Sequence, residues 1–137
     1  MVRTIIRDPA FLSQKSKPAT AEDLPAAQDL ADTLRAHLDE TAGLAAIMIG
    51  VRKRIIAVCN GPMIIPMLNP KILSGSGQYE TEASCFLADG KRHTAARYRT
   101  IRIRWQDQQM KEHTTILDGF TAETVQHMID HCNGMAE

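Results

Sequence analysis

The sequence has 137 residues, of which 44% are hydrophobic and 23% charged, and its 16 basic residues balance its 16 acidic ones. This composition predicts one globular domain over residues 1–137 and argues against a general binder of nucleic acids or membrane surfaces. No apolar run approaches the ~18 residues that a membrane span needs, and we expect no signal peptide. Three cysteines are an odd number, which favours a reducing cytoplasm over a disulfide scaffold.

The first predicted elements are an irregular N-terminal segment and a helix. Residues 1–19 are expected to be irregular, because two prolines interrupt any regular element there. From about Asp23 to Glu40, apolar residues recur at steps of three and four, which predicts an N-terminal helix. Thr20 with Asp23 resembles a capping pair at its start. A stretch of small residues, 41–50, follows the helix.

The middle of the chain is predicted to be a series of strands separated by turns. Its clearest strand runs from Tyr98 to Trp105, where arginines alternate with apolar residues. We interpret these arginines, with Arg97, as the solvated face of a strand rather than as a patch that binds nucleic acid. The other predicted segments are strands at 54–58, 63–68, 71–73 and 113–118, a loop at 74–77, and a segment 80–87 that leads into an Asp89-Gly90 turn.

The last predicted element is a helix from about Thr121 to Asn133, which Gly134 ends. Its apolar residues are spaced by three, four and three positions and form one core-facing stripe. The order of helix, several strands and helix is typical of an α+β fold, with mostly antiparallel strands packed around the C-terminal helix.

Two histidines of this helix, His127 and His131, are four residues apart and project from one helical face. Their ring nitrogens can share one metal ion, but pairs with this spacing also arise by chance, so the pair alone leaves metal binding open. Cys85 is the best candidate for a third ligand, with a buried inert thiol as the alternative. We interpret the other two cysteines, Cys59 and Cys132, as packing residues.

Three segments of the chain follow the motifs of a known family. Residues 41–50, Thr-Ala-Gly-Leu-Ala-Ala-Ile-Met-Ile-Gly, match the pattern Gly-x-Gly-Leu-Ala-Ala-x-Gln-Ile-Gly. Residues 83–87, Ala-Ser-Cys-Phe-Leu, match Glu-Gly-Cys-Leu-Ser, and residues 126–134, Gln-His-Met-Ile-Asp-His-Cys-Asn-Gly, match Gln-His-Glu-x-Asp-His-x-x-Gly. These three motifs occur in the order found in the peptide deformylase family. The sequence resembles this family over nearly its whole length, in particular the short form found in Gram-positive bacteria.

The resemblance implies a function, a cofactor and a metal site. Peptide deformylases remove the formyl group from the N-terminal formyl-methionine of new proteins, so the implied partner is a formyl-methionyl peptide or nascent chain, with no nucleic acid and no membrane. The implied cofactor is one divalent metal ion, Fe²⁺ in the family and replaceable by Zn²⁺, Ni²⁺ or Co²⁺. The peptide is expected to pair with main chain around Ala42, Gly43 and Leu44. The implied metal ligands are Cys85, His127 and His131.

Two departures from the family pattern fall on catalytic positions. The glutamate that moves protons would stand at Met128, and the glutamine that helps to hold the developing oxyanion would stand at Met48. A thioether can neither exchange a proton nor donate a hydrogen bond, so both positions are interpreted as not competent. The backbone N–H of Phe86 would remain as an oxyanion donor, because it does not depend on the side chain.

The second motif has also changed, with Ala83, Ser84 and Leu87 in place of glutamate, glycine and serine. In the family that glutamate is thought to brace the site through an arginine, here Arg97, which would lack this partner unless Glu80 or Glu82 replaces it. Glu123 lies one helical turn before His127 and would either orient its ring or be a solvated acid in the first turn of the helix.

The leading hypothesis is a cytoplasmic metal-binding protein of this family whose deformylase activity is weak or lost. The alternative is a non-catalytic protein that binds formyl-peptides or a similar small ligand, and a third hypothesis is a scaffold without metal. Met48 and Met128 would either make the substrate pocket more apolar or fill the space of the lost groups. The sequence leaves open the metal, the oligomeric state and the presence of an active relative in the same cell.

Overall fold

A computed structural model of the protein describes residues 1–83 and 93–135. In this part of the chain, five strands form one antiparallel sheet, in which neighbouring strands follow one another along the chain, together with three α-helices. The predicted α+β fold, with its antiparallel strands and its N-terminal and C-terminal helices, is confirmed. The helices are α1 (Pro9–Leu12), α2 (Leu24–Ala36) and α3 (Gly119–Cys132), and the strands are β1 (Gly43–Ala45), β2 (Ile55–Asn60), β3 (Met63–Ala83), β4 (His93–Gln106) and β5 (Glu112–Asp118).

α2 ends at Ala36, before the predicted end at Glu40, and α3 begins at Gly119, before the predicted start at Thr121. Residues 1–19 are not wholly irregular, because α1 begins with proline at its first position, where the missing N–H is not needed. The capping pair is confirmed: the backbone N–H of Thr20 donates to Asp23 Oδ2 at 2.8 Å, at the start of a short 3-10 turn that precedes α2. No helix in residues 1–83 and 93–135 is both long and apolar enough to cross a membrane.

The third strand is longer than predicted, and the predicted loop at 74–77 is wrong. β3 continues through residues 74–77. Its register against β4 shifts at two irregularities before residue 74, and regular pairing with β4 resumes there. Gly75 is needed for packing rather than for a turn, since a Cβ there would lie 2.5 Å from Cγ of Tyr98. The Tyr98 ring covers this glycine on the neighbouring strand and keeps the two strands in contact.

The hydrophobic core lies between the sheet and the helices α2 and α3, where buried side chains exclude water from the inner face of the strands. α3 packs against β1, β2, β4 and β5, so the last element of the chain contacts the first strand of the sheet. This packing places the helix that carries the histidine pair directly beside the small-residue segment 43–49. The core includes Leu30, Leu34, Ile56, Val58, Ile101, Ile103, Val125 and Ile129.

Candidate functional site

The histidine pair lies in the second half of α3. The ring centroids of His127 and His131 are 5.0 Å apart with an angle of 32° between the ring planes. His131 is 1% exposed and His127 is half-buried. Helical spacing of four residues accounts for the proximity, and two imidazoles at this separation can supply two nitrogen donors to one metal ion.

The third predicted metal ligand, Cys85, lies outside the described residues, as does the predicted oxyanion donor Phe86. Within residues 1–83 and 93–135, no group of three or more His, Cys, Asp or Glu side chains is arranged to hold a metal ion. The set of three ligands therefore stays a prediction, of which the structure describes the two histidines.

Met128 occupies the space between α3 and β1. Its side chain is 3% exposed, and a Cβ on Gly43 would lie 3.2 Å from Met128 Cγ and 2.6 Å from Thr124 Cγ2. Glycine at position 43 therefore permits the close approach of β1 to the helix. Because the position after the first histidine carries a buried thioether, it has no group that can act as an acid or a base.

Met48 is fully buried in the 3-10 turn Ala46–Ile49 that follows β1. Its sulfur accepts a hydrogen bond from the backbone N–H of Ala45 at 3.4 Å, and its carbonyl oxygen accepts one from Ile6 at 2.8 Å. The thioether therefore serves the local backbone and cannot donate to a ligand. Both methionines are buried, as is typical of side chains that fill space in a core.

The segment predicted to bind the peptide forms one edge of the sheet. Among the described strands, β1 pairs with β2 alone, with Gly43 opposite Val58 and Ala45 opposite Ile56. Ala42 precedes this strand, and its carbonyl accepts a hydrogen bond from Cys59. Leu44 is fully buried, so its side chain belongs to the core. An edge strand can add an extended peptide through main-chain hydrogen bonds, and this role of residues 42–44 stays a prediction.

Two charged residues near the pair have partners that sequence reasoning did not name. Arg97 is 4% exposed, so its predicted place on the solvated face of the strand was wrong, and its Nη1 lies 2.9 Å from Asp130 Oδ2 on α3. Glu123 lies close to Tyr79, and burial, followed by the nearby Glu123 charge, raises the pKa of Tyr79. Glu123 is half-buried, so it is not the solvated acid that was one of its two predicted roles. Both contacts attach α3 to the hairpin of β3 and β4.

The remaining two cysteines lie in or against the core, as predicted. Cys132 is buried, and desolvation raises the pKa of its thiol to about 11. Cys59 is partly buried, and burial also raises the pKa of its thiol. Thiols that hold their protons in this way are poor nucleophiles and poor metal ligands at neutral pH.

Gln126 is next to His127 in the chain, and its role in the structure was not predicted from the sequence. It is 5% exposed, and its side-chain amide forms hydrogen bonds with the backbone of Tyr98 on β4. The available signal was an amide between Val125 and Ile129, on a helical face where apolar residues are expected. A buried amide must find partners, so this position predicts a specific polar contact.

Comparison with known proteins gives one consistent family. The sequence model described as polypeptide deformylase matches residues 2–136. A peptide deformylase of Clostridium beijerinckii is 45% identical over 135 residues, which cover 98% of this chain and 98% of that protein. Another, from Halothermothrix orenii, is 33% identical over 135 residues, which cover 95% of this chain and 86% of that protein.

Solved structures agree with the sequence comparison. A peptide deformylase from Legionella pneumophila has a TM-score of 0.84 and 31% identity, over 98% of this chain and 82% of that one. A class I type b peptide deformylase from Acinetobacter baumannii, solved with Met-Ala-Ser bound, has a TM-score of 0.84 and 25% identity, over 98% and 96%. The predicted resemblance is confirmed, and the chain belongs to the polypeptide deformylase family.

Proposed function

We propose that this protein is a metal-dependent hydrolase that removes the formyl group from formyl-methionyl peptides, with a turnover well below that of family members that carry glutamate in the third motif. The observation that carries the proposal is the pair of imidazoles, with His131 buried and His127 half-buried, on the same chain as buried methionines at the positions of the family's acid–base and oxyanion groups. The full-length similarity to a relative named peptide deformylase supports the reaction, and Met48 and Met128 support the low rate.

The proposed substrate is a short peptide in extended conformation beside β1. The Acinetobacter deformylase holds Met-Ala-Ser, so a protein of the same fold binds a short methionyl peptide. Here the edge strand Gly43–Ala45 would supply main-chain partners, and α3 lies next to it through Thr124 and Met128. The proposal includes a cytoplasmic location, where new formyl-methionyl chains are made.

The proposed metal would be held by His127, His131 and Cys85. Nitrogen and sulfur donors of this kind suit Fe²⁺, Zn²⁺, Ni²⁺ and Co²⁺, so the ligand set does not select one metal. When bound, the metal would polarise the water and the formyl carbonyl. The near-complete burial of His131 fits this role, because a dry environment strengthens electrostatic interactions.

The expected loss of rate follows from the groups that the two methionines lack. General acid–base catalysis contributes on the order of 10²–10⁴ to a rate. One missing oxyanion donor costs about 10²–10³, although losses at one site do not simply multiply. The backbone N–H of Phe86 would remain to hold the oxyanion. We therefore expect a residual rate above that of uncatalysed hydrolysis in water.

The first prediction concerns turnover of formyl-Met-Ala by the metal-loaded protein, purified without oxygen. Its kcat/KM should be at least about 100-fold below that of a deformylase with glutamate in the third motif, measured side by side with the same metal. A comparable kcat/KM would overturn the low rate and leave the reaction intact. A preparation whose elemental analysis shows no bound metal after loading would overturn the proposed metal site.

A non-catalytic binding role is favoured by the same two buried apolar side chains, which remove chemistry but leave β1 as an edge. Calorimetry with formyl-Met-Ala and with unformylated Met-Ala separates the roles. Binding that depends on the formyl group, without any release of formate over hours, would support a binding protein. Equal, negligible heats for both peptides would exclude it.

A further inference from the structure

The edge of β4 next to α3 lacks a strand partner where the helix approaches it. β5 pairs with β4 from Gln106 back to Thr100, which lies opposite Asp118, the last residue of β5. Tyr98 lies two residues beyond this last pair, and on its other side it faces Gln78 of β3. In the described part of the chain, no strand continues the ladder at Tyr98, so its backbone groups on this side need another partner.

The side chain of Gln126 supplies that partner. Its Oε1 accepts the backbone N–H of Tyr98 at 2.8 Å, and its Nε2 donates to the Tyr98 carbonyl at 2.9 Å and to the Ala122 carbonyl at 3.0 Å. A carboxamide has the same donor and acceptor as a peptide group, so it continues the ladder by one step. The contact joins two regular elements, the helix α3 and the strand β4.

A second polar contact reinforces this attachment one helical turn further along α3. Arg97, the neighbour of Tyr98 on β4, pairs with Asp130, four residues after Gln126. The Gln126 hydrogen bonds are directional and the Arg97–Asp130 ion pair adds a second point of attachment, whereas apolar packing lets a helix rotate or slide by small amounts. The two contacts together hold both the rotation and the height of α3 against β4, and His127 lies between them in the chain.

We propose that Gln126 is a positioning residue, which sets the placement of the His127 and His131 rings for metal binding by locking α3 to the free edge of β4. This inference rests on the proposed function, because it assumes that the histidine pair binds a metal ion. It assigns the role to a side chain that touches neither substrate nor metal. Its effect is expected in metal affinity and coordination geometry, and not only in stability.

The test uses Gln126→Met, which keeps the length and burial of the side chain but removes all three hydrogen bonds, and Gln126→Glu, which keeps only the acceptor. The matched control is Gln78→Glu, on the exposed position opposite Tyr98. Co²⁺ serves as the metal probe, because its visible absorption reports coordination geometry. Both Gln126 variants should weaken Co²⁺ binding by about tenfold or more and alter its spectrum, while the control changes neither.

Hydrogen exchange of the Tyr98 amide tests the contact in the unaltered protein. This amide should be protected from exchange as a ladder amide is, and it should exchange faster in Gln126→Met. Rapid exchange in the unaltered protein would contradict the contact itself. Folded Gln126 variants with unchanged Co²⁺ affinity and spectrum would show that the residue is only structural, even if their melting temperature falls. An unaltered protein that binds no Co²⁺ would instead overturn the proposed function.

Discussion

Met48 and Met128 are buried, and they stand where the family motifs have glutamine and glutamate. The sulfur of Met48 accepts the Ala45 N–H, a contact that a glutamine oxygen could also make while its amide group remained free to donate. Met128 packs against Gly43, since a Cβ on this glycine would lie 3.2 Å from Met128 Cγ. At the scale of the residue, each methionine packs in the core and offers neither a proton nor an amide donor.

The second prediction restores both functions with Met128→Glu and Met48→Gln. The double variant should gain at least about tenfold in formyl-Met-Ala turnover, because it regains an acid–base group and an oxyanion donor. Met63→Gln, at an exposed position, is the control for an added amide. Thermal unfolding should accompany the assay, since a carboxylate placed beside β1 is buried. A folded, metal-loaded double variant without any gain would mean that the changes at Ala83, Ser84 and Leu87 disable the site.

Close contact between two elements, β1 and α3, depends on a single missing methyl group. A Cβ at position 43 would lie 2.6 Å from Thr124 Cγ2, a distance that real Cβ contacts do not show. The hydroxyl of Thr124 is used separately, because it donates to the Phe120 carbonyl at 2.9 Å. The Thr124 methyl group therefore lies against the strand, and its hydroxyl stays within the helix.

The third prediction is that Gly43→Ala pushes β1 away from α3 and lowers the free energy of unfolding by about 1–3 kcal/mol. Thr124→Ser removes the clashing methyl group and keeps the hydroxyl, so it should recover most of this loss when added to Gly43→Ala. Urea unfolding of the two single variants and the double variant measures the coupling. Purely additive effects would show that the Thr124 methyl group does not limit the approach of the strand.

On the scale of the whole molecule, the sheet is a simple meander and α3 closes it. Neighbouring strands are consecutive in the chain, so the sheet itself needs short connections only. α3 then brings three distant segments together: β1 at Gly43, β4 at Arg97 and Tyr98, and its own histidine pair. The histidine pair therefore lies on the element that joins these segments, so its surroundings depend on how α3 packs on the sheet.

The fourth prediction concerns stability of the whole molecule in acid. Hydrogen bonds from His113, Lys111 and Gln109 hold Asp107 in the turn between β4 and β5, and the His113 contact contributes most to lowering the pKa of Asp107 to about 2. Because this folded-state pKa lies below the ordinary value of 3.8, the stabilisation is present above about pH 4 and is lost as the pH falls through 2.

The measurement is the thermal unfolding midpoint between pH 7 and pH 2. Asp107→Asn should lower the midpoint at neutral pH and show a smaller fall between pH 4 and pH 2 than the unaltered protein. Asp39→Asn makes the same change of charge at an exposed position and should leave the pH dependence nearly unchanged. Identical pH profiles for Asp107→Asn and the unaltered protein would contradict the role of this turn.

Local patterns in the sequence were enough for the fold class, the last helix and the adjacency of the two histidines, because each depends on spacing within one element. The strand at Tyr98–Trp105 lies within β4 for the same reason. The predicted loop at 74–77 was wrong because Gly75 permits close packing under Tyr98, a contact with another strand. The single domain over residues 1–137 and the ligand role of Cys85 stay predictions.

The sequence by itself determined the family motifs, the histidine spacing and the presence of methionine at positions 48 and 128, since these are properties of residue identity and order. Only the tertiary structure decided which side chains those elements meet. The partner of Arg97 is Asp130, the partner of Glu123 is Tyr79, and Gln126 completes the ladder at Tyr98. Contacts of this kind join residues 28 to 44 positions apart, and no local period encodes them, because they arise only when the apolar face of α3 is buried on the sheet.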